Sequence, residues 1–221
     1  MTDSATAAER PHAAERSRPR LLDSPIGALP RALLVAAALC LVPAYVSPLW
    51  TLTMFAPQYP DGLRLYIYSH ELNGGNGGQD VHEINVLNHY IGMRDLQQSD
   101  FTEFQWMPFV LGALGLLFLR AAVHGQLAQL LDVLVMSLYF SLFSLWSFGY
   151  KLYRYGHDLS ATAAVHVAPF MPPLFGHKRL ANFDVYSYPA LGSYALGAAM
   201  AVLAAAFFLA WRHARARAAE A

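Results

Sequence analysis

Residues Val81 to Met93 read V-H-E-I-N-V-L-N-H-Y-I-G-M, bringing two histidines, a carboxylate, two carboxamides, a tyrosine and a thioether into one short stretch. Imidazole and thioether together suit copper, Cu(I) included, because copper takes soft and borderline ligands. On a helix, His82, Asn85 and His89 share one face at spacings of three and four, as do His89 and Met93. His82, His89 and Met93 are therefore the first-choice ligands of a copper site, and His157, His166, Met171 and His177 are the second choice. His157-Asp158 would set a ligand beside an orienting carboxylate, although adjacent side chains rarely orient each other. The competing reading is hydrogen bonding, with His89 and Asn88 satisfying exposed carbonyls of neighbouring elements.

The elements that must position these residues are apolar helices. The chain has 221 residues, 56% hydrophobic and 14% charged, whereas a soluble domain is about 25% charged. Charge is nearly absent from four runs, Leu29–Trp50, Met107–Val123, Leu127–Tyr150 and Leu191–Trp211, each near the ~20 residues needed to cross a bilayer. The predicted fold is all-α and integral to the membrane. It has four transmembrane helices and an ordered extracytoplasmic cap of mixed short strand and helix. A net charge of zero suggests no nucleic-acid partner. The one cysteine, Cys40, lies in the first run, and no C-x-x-C-H is present, which excludes covalent c-type haem and a Cys-paired zinc site. None of the four runs contains a histidine, which argues against buried haem b; a quinone site near the outer interface remains open.

Orientation follows from Lys and Arg. Arg10, Arg16, Arg18, Arg20, Arg31, Arg120, Arg212, Arg215 and Arg217 fall on one side, against Arg64, Arg94, Lys151, Arg154, Lys178 and Arg179 on the other. Both termini are predicted to be cytoplasmic. Residues 1–28 read as a disordered cytoplasmic tail, residues 29–211 as the membrane domain with outer loops 51–106 and 151–190, and residues 212–221 as a second cytoplasmic tail. No A-x-A stands where a signal peptidase would cut, and Leu39 beside Cys40 argues against lipoprotein processing. In the fourth run Ser193, Gly197, Ala201 and Ala205 form a small-residue stripe. It suits packing on the protein's own helices or docking of a partner helix. Asp132 reads as an interfacial carboxylate reaching headgroups or Arg120.

The outer loops carry most of the chemistry. In loop one, Leu63, Leu65 and Ile67 alternate with Arg64, Tyr66 and Tyr68, which predicts a half-buried strand. Glu71 to Gln79 reads as a flexible hairpin tip. Val81, Ile84, Leu87 and Ile91 then predict a short amphipathic helix, with Asp80 as its N-cap and Gly92 as its end. In loop two the prolines of P-F-M-P-P-L-F-G-H-K force an extended path. Phe170, Leu174 and Phe175 are expected to pack against the loop-one elements. Lys178 and Arg179 are expected to anchor to lipid phosphate.

Three motifs, A-P-Q-Y-P-x-G-L from Ala56, I-N-x-L-N-H-Y-I-G-M from Ile84 and the Met107-Pro108 pair, resemble the NosB-like family of small polytopic bacterial membrane proteins. Y-G-H-D-L from Tyr155 and P-F-x-P-P-L-x-G from Pro169 are similar too, so the resemblance covers about residues 48–189. Members of that family accompany the maturation genes of nitrous-oxide reductase, a periplasmic copper enzyme. The resemblance implies a non-enzymatic membrane accessory protein acting in copper delivery, cofactor assembly or electron supply, with a periplasmic copper protein or a membrane complex as partner. It implies no catalytic residues. A quinone-interacting redox subunit and a purely structural subunit of a larger membrane complex are the alternatives.

Overall fold

The computed structural model describes residues 21–180 and 182–220; residues 1–20 of the expected tail lie outside them, whereas residues 21–28 are ordered, with Ile26 buried in the core between the long helices and Pro25 bridging Gln126. The chain runs α1 (Ala28–Val46), β1 (Trp50–Ala56), β2 (Tyr59–Ile67), β3 (Leu72–Gly74), α2 (Gln79–Tyr90), α3 (Glu103–His124), α4 (Leu127–His157), β4 (Gly176–Leu180), β5 (Phe183–Pro189) and α5 (Leu191–Glu220). Of these, α1, α3, α4 and α5 are long and apolar enough to cross a membrane.

An all-α fold with a small cap is overturned. The five strands form one antiparallel sheet in the order β3-β2-β1-β5-β4. Its central strand is β1, which lies within what reads in sequence as the end of the first span and the start of a loop. The helix stops at Val46, and Trp50 opens the strand. Thr-rich, aromatic and alternating, Trp50–Ala56 suits a pleated surface half buried on one side. It pairs with β2, Leu52 opposite Leu65 and Met54 opposite Leu63. On its other side it pairs with β5, Leu52 opposite Ser187 and Met54 opposite Val185. The second pairing joins segments about 130 to 140 residues apart, which no local pattern reveals. The supposed flexible tip is also ordered: Leu72–Gly74 pairs with β2 as the edge strand β3.

Two apolar cores result. One lies between the long helices, around Leu34, Leu114, Phe118, Leu130 and Leu203. The other lies between the sheet and α2, where Leu52, Leu63, Leu65 and Val185 meet Ile84, Leu87 and Ile91. The sheet is fastened to the bundle through backbone. Leu49 N–H donates to Ile67 O (2.7 Å), Ala190 N–H to Leu49 O (2.9 Å) and Gly192 N–H to Pro48 O (2.9 Å). A side chain at Gly192 would collide with the Ser47 and Pro48 carbonyls, so glycine permits this junction.

At the opposite end of the bundle, Pro25 bridges Gln126, Arg31 Nη1 donates to Val123 O (3.1 Å) and Arg217 Nη1 to Pro25 O (3.4 Å). With 31 residues, α4 is roughly 46 Å long at 1.5 Å per residue. That exceeds a ~30 Å hydrocarbon core, so its last turns reach up beside the sheet.

Candidate functional site

Helix α2 starts at Gln79, and Gly78 stands at its N-cap without a side-chain bond. Asp80 is thus no N-cap. Its carboxylate is buried and accepts from Arg64 N–H (2.8 Å) and Asn76 Nδ2 (2.7 Å), locking the helix start to β2 and to the turn before it. The other end is as expected. Gly92 is left-handed (φ 80°), Gly92 N–H donates to His89 O (3.2 Å) and Met93 N–H to Asn88 O (2.8 Å), the bond pair of a Schellman motif.

That ending separates the first-choice ligands. His82 and His89 both face outward, but seven residues set them about 10 Å apart along the axis, too far to share one ion in this conformation. Met93 lies past the left-handed turn and packs on the apolar core under the sheet. The structure therefore does not bring His82, His89 and Met93 together. The loop-pinning role falls to the asparagines instead. Asn85 accepts from Leu96 N–H (2.7 Å) and donates to Leu96 O (3.3 Å), while Asn88 donates to Arg94 O (3.5 Å). Beside His82, Glu83 accepts a hydrogen bond from the Tyr59 hydroxyl. That bond, then the one from Gln79, holds the Glu83 carboxyl below the usual carboxylate range, and it raises the Tyr59 phenol.

The second-choice residues are also dispersed. His157 Nδ1 meets Tyr153 O (2.9 Å) and its ring stacks on Tyr153, while Asp158 pairs with Arg154 (2.8 Å) rather than with His157. His166 Nε2 meets Ala161 O (3.1 Å). Met171 supplies its carbonyl to Lys178 Nζ (2.8 Å), so Lys178 has a partner within the protein. Among the described residues no group of three or more His, Cys, Asp or Glu side chains could hold a metal ion.

His177 is the exception in its setting. It lies on β4, its Nε2 bonds Asp184 Oδ1 (2.9 Å), and its ring stacks on Tyr186 at 4.5 Å. An imidazole oriented by a carboxylate, with Nδ1 unpartnered among the described residues, is the arrangement that metal-ligating histidines use. It occupies the sheet face opposite α2. Across that face, Phe55 meets Tyr186 edge-on (5.6 Å) and Phe175 meets Tyr188 (5.4 Å). Thr53 sits opposite both Arg64 and Tyr186. Phe175, expected in the interior, is 67% exposed here, whereas Phe170 does pack on the inner core.

Sequence reasoning missed this face because β1, β4 and β5 went unrecognised. The alternation in Phe183–Pro189 was the available signal. It also missed the pair at the base of the sheet, Glu103 in the first turn of α3 and Lys151 near the end of α4 (3.6 Å). Opposite charges at the same end of two antiparallel helices were the clue.

Comparison with known protein families, with curated proteins and with solved structures finds no match.

Proposed function

We propose that this is a non-enzymatic accessory protein of a bacterial cytoplasmic membrane, both termini cytoplasmic and the sheet domain outside. Its work is to hold the sheet at a set height above the bilayer and present the open face to a partner. The orientation is supported by Arg31, Arg120, Arg212, Arg215 and Arg217, which gather at the bundle end away from the sheet, as cytoplasmic ends do. The observation that carries the docking role is the sheet face that α2 leaves uncovered. It bears Thr53, Phe55, Tyr66, Tyr186 and Tyr188, with Arg64, Arg179 and Asp184 among them, and surfaces rich in tyrosine and arginine characterise recognition sites. Backbone bonds from Leu49 and Ala190 make the mount stiff, which reduces the ordering cost of binding.

The family resemblance makes the partner a periplasmic copper protein, nitrous-oxide reductase or a factor that matures it. His177, on the docking face and oriented by Asp184, is the imidazole best set to meet a copper ion carried by that partner. The test is to delete the chain from a denitrifying host and measure copper per molecule of purified nitrous-oxide reductase. Copper-deficient enzyme is expected, restored by the wild-type chain and not by a Thr53→Glu/Tyr186→Glu variant that reaches the membrane in normal amount. Fully loaded enzyme from the deletion strain would refute the reading.

A further inference from the structure

The long helices do not close evenly. Whereas α1 packs extensively along α3 and α5, α4 packs more sparsely on both of its neighbours. Between α3, α4 and α5, just below the sheet, this leaves a cavity of about 380 Å³, within the range of small-molecule sites. Its deep end is apolar, formed by Leu111, Leu138, Leu196 and Met200. Its sheet-side end is aromatic, with Trp50, Tyr68, Phe101, Phe104 and Phe148 around it.

Most of the polar groups sit toward that aromatic end, with Ser141 deeper on α4. Glu103, Ser144 and Lys151 all line the cavity. Glu103 Oε1 accepts from Ser147 Oγ (2.5 Å), but Glu103 Oε2 and Ser144 Oγ are buried with no hydrogen-bond partner among the described residues. Two unsatisfied buried polar atoms on the wall of one cavity are costly unless something fills their bonding capacity. Lys151 Nζ lies 3.6 Å from Glu103 Oε2, donates to the Asp100 carbonyl and stands over the Phe101 ring. Of its three N–H groups only one is spent on a hydrogen bond, that to the Asp100 carbonyl, so it has donors to offer.

We propose that this cavity binds a membrane quinone. The head must be uncharged, because the carboxylate and the ammonium cancel, and an anionic lipid headgroup would meet Glu103. It must offer oxygens to Lys151 and Ser144 and, in its reduced form, a hydroxyl to Glu103. It must be flat enough to lie among five aromatic rings, where stacked and edge-on packing favours a planar ring. It must carry an apolar tail matching the deep end and the gap beside α4. A quinone has all four properties. A phospholipid acyl chain fills the deep end but leaves Glu103 Oε2 and Ser144 Oγ unsatisfied. This site is independent of the docking face, so either reading can fail without the other.

The test uses the full-length protein in phosphatidylcholine nanodiscs, titrated with decylubiquinone. Trp50 quenching is read in a background where Trp106, Trp146 and Trp211 are phenylalanine. Saturable quenching at one quinone per chain is expected. Gly197→Phe, which puts a ring into the cavity where a Cβ meets nothing within 4 Å, should abolish the saturable component. Ser144→Ala, assayed at unchanged thermal midpoint, should weaken decylubiquinone binding about tenfold, and Glu103→Gln should weaken by a similar factor the binding of decylubiquinol, titrated in a parallel series kept reduced under argon, the scale of a lost hydrogen bond to a buried group. Quenching that only rises linearly with quinone, as simple partitioning into lipid would give, overturns the proposal. So does wild-type affinity in Gly197→Phe. Should Gly197→Phe fail to fold, unchanged affinity of Ser144→Ala for decylubiquinone together with unchanged affinity of Glu103→Gln for decylubiquinol overturns it equally.

Discussion

Asp80 offers a direct measure of how the sheet domain holds together. The side chain is 2% exposed and bonds Arg64 N–H and Asn76 Nδ2. It ties the first turn of α2 to β2 and to the turn at Asn76–Gly78. In Asp80→Ala two hydrogen bonds to a charged acceptor disappear, each worth about 1.5–3 kcal/mol, and the Arg64 N–H is left without an acceptor. Water entering the vacated space offsets part of this. A net loss of about 3 kcal/mol is expected for opening of the β2–β3–α2 unit, roughly a hundredfold in its equilibrium. Asp80→Asn keeps one acceptor and one orientation, so a loss of about 1–2 kcal/mol is expected. Native-state hydrogen exchange of the full-length protein, followed on peptides covering residues 64–90, reads this directly. Wild-type protection in Asp80→Ala, or a larger loss in Asp80→Asn than in Asp80→Ala, would refute the reasoning.

Other consequences are as specific. At Gly156 an added Cβ would collide with the Phe170 carbonyl oxygen and come within 2.9 Å of Pro172 Cδ. Gly156→Ala should therefore cost about 2 kcal/mol or more in thermal unfolding, whereas Gly112→Ala, which meets nothing, should be neutral or better. Because Glu83 has a lowered pKa in the folded state, owing first to the Tyr59 bond, its stabilising contribution is complete above the ordinary carboxylate pKa. It is lost as pH falls through the lowered folded value. Tyr59→Phe should reduce that acid-side loss in hydrogen exchange of α2, and an unchanged acid limb would count against it. A reporter joined after Ala221 should be active only in its cytoplasmic form; activity in a periplasm-dependent form would reverse the proposed orientation.

The four apolar helices were legible in the sequence because hydrophobicity over ~20 residues is a local property. The alternation of β2, the amphipathic pattern of α2 and its glycine stop at Gly92 were legible for the same reason, since each depends on neighbours within a turn or two. The sheet was not. The pairing of β1 with β5 brings Trp50 opposite Pro189, a contact between segments far apart in the chain that only the packed helices make adjacent. Without it, Trp50 reads as the end of the first apolar run and Phe183–Pro189 as loop.

The candidate site divides along the same line. Spacing alone put His82 and His89 on one face, and tertiary structure agrees. Spacing could not show that Gly92 would turn Met93 into the core, because a left-handed residue breaks the helical register on which the copper trio depended. Nor could it show that His177 would meet Asp184 across a β-ladder, or that Glu103 and Ser144 would share a cavity wall. Composition determined that this chain is apolar enough to live in a membrane. Which polar groups ended up paired, and which came to line a cavity wall, was decided only by long-range packing, where burial strengthens electrostatics and makes each unsatisfied group costly.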